Sequence, residues 1–216
     1  MRHVVAIAVL VLGVFAASGA AAQDVSIGPT VAVTSDAMVD HRGDPLVGAE
    51  RALLYRAGGR IALSTGDYLS VVSEVAYAKR GYDTSEAAIE HFRLRSSYVE
   101  LSGLLEAGIP AGVARPKLLG GPFVAYFLTG RTEESSPGLG PEPFTYDIDR
   151  DNVNDLQFGL SAGAGIDFDL SAATLSFDIR YAHNLTEYFA EDILDEANIH
   201  HTRWSANIGL LFGVTP

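Results

Sequence analysis

Three groups of residues in this sequence have the types and spacing that chemistry could use. In residues 147–155, "DIDRDNVND", Asp147, Asp149 and Asp151 stand at alternate positions. That is how a calcium loop begins, with hard carboxylate oxygens converging on one cation. Such a loop turns at a glycine in its sixth position and closes on a glutamate in its twelfth. Asn152 and Phe158 occupy those positions here, so the stretch reads as a solvated acidic loop and a weak metal candidate. His200 and His201 lie near Asp195 and Glu196, but neighbours at a strand start point to opposite faces and chelate poorly. In "RYAHNLTEY", His183 shares parity with Tyr181. An outward histidine could activate a serine two residues later for acyl-ester hydrolysis, yet that position holds Leu185, and Thr186 has the wrong parity. Without a nucleophile the imidazole has nothing to activate. No catalytic residue and no cofactor is expected, and the protein is read as a non-enzyme.

The elements around these residues are more informative. Residues 1–22 have a basic start (Arg2, His3), an apolar run from Val4 to Ala17, and small residues at Ala20 and Ala22. This is the layout of a secretory signal peptide, leaving 23–216 as one barrel domain. Removing the segment takes away Arg2 and no acid, so the formal charge of -12 becomes -13. An acidic chain is a poor partner for nucleic acid, whose binding rests on attracting phosphates. The chain has no cysteine, so no disulfide framework holds it.

Alternation of apolar and polar residues then recurs along the chain, the pattern of half-buried strands. Residues 174–185, "TLSFDIRYAHNL", set Leu175, Phe177, Ile179 and Tyr181 against Ser176, Asp178 and Arg180. Similar runs start near Val25, Leu53, Leu69, Tyr98, Arg115, Leu156 and Arg203. About eight strands result, the smallest usual outer-membrane barrel. Connections at 64–67, 110–113 and 169–172 are short; those at 35–50, 79–91, 131–154 and 186–201 are long. Residues 85–92 could make one helical turn within a long loop. Short and long ends alternate, which matches tight periplasmic turns and longer extracellular loops. Pro116 and Pro122 fall in the fifth run and predict a bulge or frayed start there, because proline cannot donate to a ladder.

The same alternation leaves open which face is dry. With polar residues inward, the lumen receives Arg56, Arg60, Arg115, Lys117, Arg180 and Arg203 against Glu74, Glu100, Glu106, Asp155, Asp167 and Asp178. Near-balance of charge in so narrow an interior predicts interleaved ion pairs, since eight strands leave room only for side chains. Tyr55, Tyr77, Tyr126, Tyr181, Trp204 and Phe212 fall on the apolar face towards strand ends, where aromatic girdles stand. The opposite assignment makes a soluble periplasmic barrel with an apolar ligand inside. A narrow passive channel is a third reading.

Several stretches resemble the small porin-like outer-membrane β-barrel family of Bacteroidota-type bacteria. They are "SVVSEVAYAKRG" (70–81), "YVELSGLLEAGI" (98–109), "KLLGGPFVAYFL" (117–128), "FGLSAGAGIDF" (158–168) and "LSFDIRYAHNLTEY" (175–188). The resemblance implies an all-β fold, an eight-stranded antiparallel up-and-down transmembrane β-barrel, with no single biochemical activity. It departs from outer-membrane chains that finish on an aromatic residue, since Gly213 to Pro216 follow Phe212. The expected partners are outer-membrane lipid and lipopolysaccharide, the barrel assembly machinery and an unspecified extracellular contact. The expected location is the bacterial outer membrane.

Overall fold

The computed structural model describes residues 24–39, 49–86, 89–135, 144–148, 153–188 and 199–214, with 49 and 85–91 described through their backbone alone. The expected signal segment, Asp149 and Asp151 lie outside the described residues. The described residues form nine strands: β1 (Asp24–Val39), β2 (Ala49–Ser64), β3 (Leu69–Glu86), β4 (Ile89–Gly108), β5 (Ala114–Ser135), β6 (Phe144–Asp147), β7 (Leu156–Asp169), β8 (Thr174–Asn184) and β9 (His200–Gly213). All pairings are antiparallel. β1 pairs with both β2 and β9, and a β4–β5 ladder closes the ring. Eight strands make the barrel, and short β6 hangs on β5 outside it.

Closure leaves no edge in the ring, the standard remedy for unpaired strand groups in lipid. Alternation then sorts side chains. Val31, Val33, Leu53, Val75, Leu105, Leu118, Leu160, Ile179 and Ile208 are exposed outside, while Arg60, Glu74, Glu100, Lys117, Asp178 and Arg180 are buried inside. A soluble barrel would show the reverse. Phe177, on the parity of Ile179, turns outward; Asp178 and Arg180 turn inward.

The short connections are tight turns. Gly66 and Gly112 sit at φ 133° and 69°, a region that suits a residue without Cβ. Ser171 takes φ 67° in the third, where its N–H donates to the Asp169 carboxylate at 2.9 Å.

Three expectations are corrected. Residues 85–86 and 89–92 are strand where a helical turn is expected: β3 runs to Glu86 and β4 starts at Ile89, with Glu86 opposite Ile89. The segments read as long loops are therefore partly strand. The prolines cause no bulge either. Pro116 opposes Ile166 and Pro122 opposes Leu160, and the register on β4 is the same on both sides of Pro122. Both side chains stand on the outer face, and each proline removes only one N–H from a ladder whose register to β7 runs on past it. The register shifts lie elsewhere, between Arg51 and Arg56, Thr84 and Glu86, and Ser97 and Tyr98.

The wall is uneven. β3, β4 and β5 continue about nine residues beyond the Tyr77–Val99–Tyr126 row, whereas β7 begins at Leu156 opposite Tyr126. At roughly 3.3 Å per residue this raises a sheet about 30 Å along its strands. Asp83, Arg93, Arg95 and Glu133 exchange ion pairs of 2.7–3.5 Å on its outer face. Its inner face carries the Tyr82–Phe92 and Phe144–Tyr146 ring pairs.

Candidate functional site

The interior is built around three glutamates on β3 and β4, each held between cations from other strands. Glu100 accepts bidentate bonds from Arg203 at 2.8 and 2.9 Å, one from Arg80 at 2.6 Å and one from Arg56 at 3.0 Å. Glu74 accepts two bonds from Arg180, at 2.7 and 2.8 Å, and another from Arg56 at 2.8 Å. Arg180 also holds Asp178 at 2.5 Å. Nearer the short turns, Arg60 and Lys117 share Glu106, and the lysine also reaches Asp167 at 2.6 Å. Arg60 spans layers, lying 3.7 Å from Glu74 and 3.5 Å from Asp178.

Buried charges cost several kcal/mol each in desolvation, and opposite charges at hydrogen-bond distance with satisfied donors offset that cost. Counting the buried ionisable side chains other than histidine gives six cations, Arg56, Arg60, Arg80, Lys117, Arg180 and Arg203. Six acids match them: Asp36, Glu74, Glu100, Glu106, Asp167 and Asp178. The formal charges of the interior therefore balance among the described residues, although the chain is strongly acidic.

Two residues expected in the lumen sit at its ends. Arg115 is half-buried at the short-turn mouth, with its guanidinium 3.4 Å from the Ser70 hydroxyl. Asp155 precedes β7 at the other end, where its backbone carbonyl accepts the Phe127 N–H at 2.8 Å. Two further charges, outside the expected set, are buried as well. Arg80 shares the parity of Glu74, donates to Gln157 at 3.0 Å and stands 4.7 Å over the Tyr98 ring. Asp36 shares the parity of Thr34 and opposes Arg203 on β9. Both lie in segments taken for loops.

The long-loop mouth is closed by an apolar cluster. Met38, Leu94, Tyr98, Ala125, Phe127, Val153, Tyr188 and Ile199 pack together, with Tyr82, Phe92 and Ile148 against them. Tyr98 and Phe127 meet edge to face at 5.6 Å. The Tyr188 hydroxyl shares a 3.0 Å bond with that of Ser96, and burial holds it well above the usual phenol range. Beneath this stopper, a void lined by Arg56, Glu100, Arg180, Arg203 and Asn207 measures about 10 Å³, room for a single water.

Outside, Tyr55, Tyr77, Tyr126, Tyr181 and Trp204 stand exposed in adjacent strands near the long-loop end. Tyr181 and Trp204 lie 5.1 Å apart, Tyr55 and Tyr77 6.3 Å. Phe158 continues the belt, and Phe212 lies towards the other end, opposite Ile27, where Tyr68 is exposed too. Asp147, of the acidic loop, is exposed and 3.4 Å from Arg131. Among the described residues no group of three or more histidine and carboxylate side chains could hold a metal ion.

Comparison with known proteins agrees with this geometry. Residues 21–190 match the family model described as outer membrane protein beta-barrel domain. OprG from Pseudomonas aeruginosa, an outer membrane protein, superposes with a TM-score of 0.52 at 13% identity, covering 90% of this chain and 97% of its own. Neisserial surface protein A gives 0.44 at 13% identity, with 86% and 95% covered. Ail, the attachment invasion locus protein of Yersinia pestis, gives 0.42 at 13%, with 87% and 98% covered. No curated protein matches the chain in sequence.

Proposed function

The chain belongs to the outer membrane protein beta-barrel domain family, and from that premise we propose that it is a non-conducting, non-enzymatic envelope protein whose work is contact. The short turns face the periplasm, and the raised sheet of β3 to β6 stands outside the cell. The observation that carries the reading is the double closure of the interior, by the buried ion network and by the apolar stopper above it. A solute would have to part buried pairs such as Arg203–Glu100 and then displace Tyr98, Phe127 and Tyr188. That makes the narrow-channel alternative unfavourable, and among the described residues the interior is lined by charges, a poor lining for an apolar ligand.

What remains for interaction is the surface above the belt. All four residues of β6 are exposed, and an exposed strand edge offers backbone groups to an incoming extended segment. Phe144 and Tyr146 would supply the apolar part of such a contact.

In planar bilayers, well-folded protein should show no discrete openings at neutral pH. Regular unitary steps from protein that keeps its heat-dependent gel mobility would overturn the closed-barrel reading.

A further inference from the structure

On the outer face, strand register unites two histidines that lie apart in sequence. His183 follows Tyr181 by two residues on β8 and turns outward. His200 opens β9 and turns outward too, while its neighbour His201 turns inward, its ring 4.9 Å from that of Tyr188. The imidazoles of His183 and His200 have centroids 5.8 Å apart and planes inclined by 33°. Thr202, opposite His183 in register and two residues from His200, is buried on that face. Nδ1 of His200 is enclosed and has no hydrogen-bond partner. The pair stands just beyond the Tyr181–Trp204 couple, at the belt's outer margin.

We propose that His183 and His200 form a two-imidazole site for a divalent transition-metal ion of the zinc or copper class, with water completing its coordination. The spacing suits such an ion. Zinc–nitrogen bonds run about 2.0–2.1 Å, and a ring centre lies a little over 1 Å behind its ligating nitrogen. Two imidazoles on one ion therefore place their centroids roughly 5–6 Å apart, depending on the bond angle. Neutral imidazole favours zinc, copper and nickel over calcium and magnesium, which want oxygen ligands. Because paired strands of a closed ring carry both ligands, little ordering is left to be done when the ion arrives.

Neither histidine belongs to the interior network, so substitution there leaves the closed barrel intact. The test uses the mature protein folded in detergent micelles, with folding checked by gel mobility before and after boiling. Zinc is titrated by calorimetry, and copper is followed by the nitrogen coupling in its electron paramagnetic resonance spectrum. One ion should bind per barrel, and both His183→Ala and His200→Ala should weaken binding by about tenfold or more. Zinc should also raise the thermal midpoint of the wild type, because an ion that binds only the folded form stabilises it, and should leave His183→Gln unmoved. Absence of binding to the wild type would overturn the proposal. So would undiminished affinity in both alanine variants, which would place the ion elsewhere, for instance on acidic loop residues.

Discussion

Replacing Glu100 with alanine should cost about 3–5 kcal/mol of stability or more, since breaking a buried ion pair from one side leaves its partner charge uncompensated. Here three partners lose that carboxylate at once, and among the described residues only Arg56 keeps another within 3 Å, Glu74. Arg56, Arg80 and Arg203 are all buried, and all converge on that one carboxylate within 3.0 Å. Glu100→Gln preserves the volume but removes the charge, so most of the loss should persist. The contrast is Arg131→Ala, which breaks a pair whose side chains are 62% and 79% exposed. Exposed pairs contribute about 0–1 kcal/mol. Urea unfolding of the refolded barrel, followed by gel mobility, measures both. If Glu100→Ala and Arg131→Ala shift the midpoint equally little, the interior is hydrated and loose, and the closed-barrel account fails.

The second large effect concerns the outer face. Ile208 lies midway along β9 between Trp204 and Phe212, is 47% exposed and opposes Val31 and Phe177. Ile208→Arg should destabilise the folded barrel by about 2–4 kcal/mol, the cost of an arginine at the bilayer midplane. Leu53→Arg is its control. Leu53 is more exposed, at 75%, but stands beyond Tyr55 towards the long-loop end, where the same charge costs about 0–1 kcal/mol. Depth, not exposure, should order the two results. Equal unfolding midpoints in lipid vesicles would mean that the belt does not mark the hydrocarbon boundary.

These variants also show what the sequence could reveal. Ile208 and Glu100 are assigned to opposite faces by parity alone, because a strand's side chains have a period of two and the chain keeps that period through each strand centre. At the strand ends the period is masked by polar and glycine residues. Beyond Tyr77 the run "AKRGYD" mixes charges with glycine and resembles a loop, yet Arg80 keeps the parity of Glu74 and extends the same inner face. Asp36 was lost the same way beyond Thr34. Following parity through a polar strand end would have recovered both. No such signal exists for the stopper. Met38, Tyr98, Phe127 and Tyr188 come from four separate segments, and only the register between strands decides that they meet. The His183–His200 pair was hidden for the same reason. For the exposed aromatics, outward parity gives the face, but not that Tyr55, Tyr77, Tyr126, Tyr181 and Trp204 stand towards one end.

The positions of the interior cations along the chain also bear on how the molecule is made. Arg180 and Arg203 reach Glu74 and Glu100 across sequence separations of 106 and 103 residues, and β9 must meet β1 before the wall is complete. Until the last strand arrives, the glutamates of β3 and β4 lack cations that they hold in the finished protein. Full pairing of the interior charges therefore requires the strands up to the seam between first and last, and contacts so distant in sequence make folding slow. A nascent chain must keep its future lumen wet until that seam shuts.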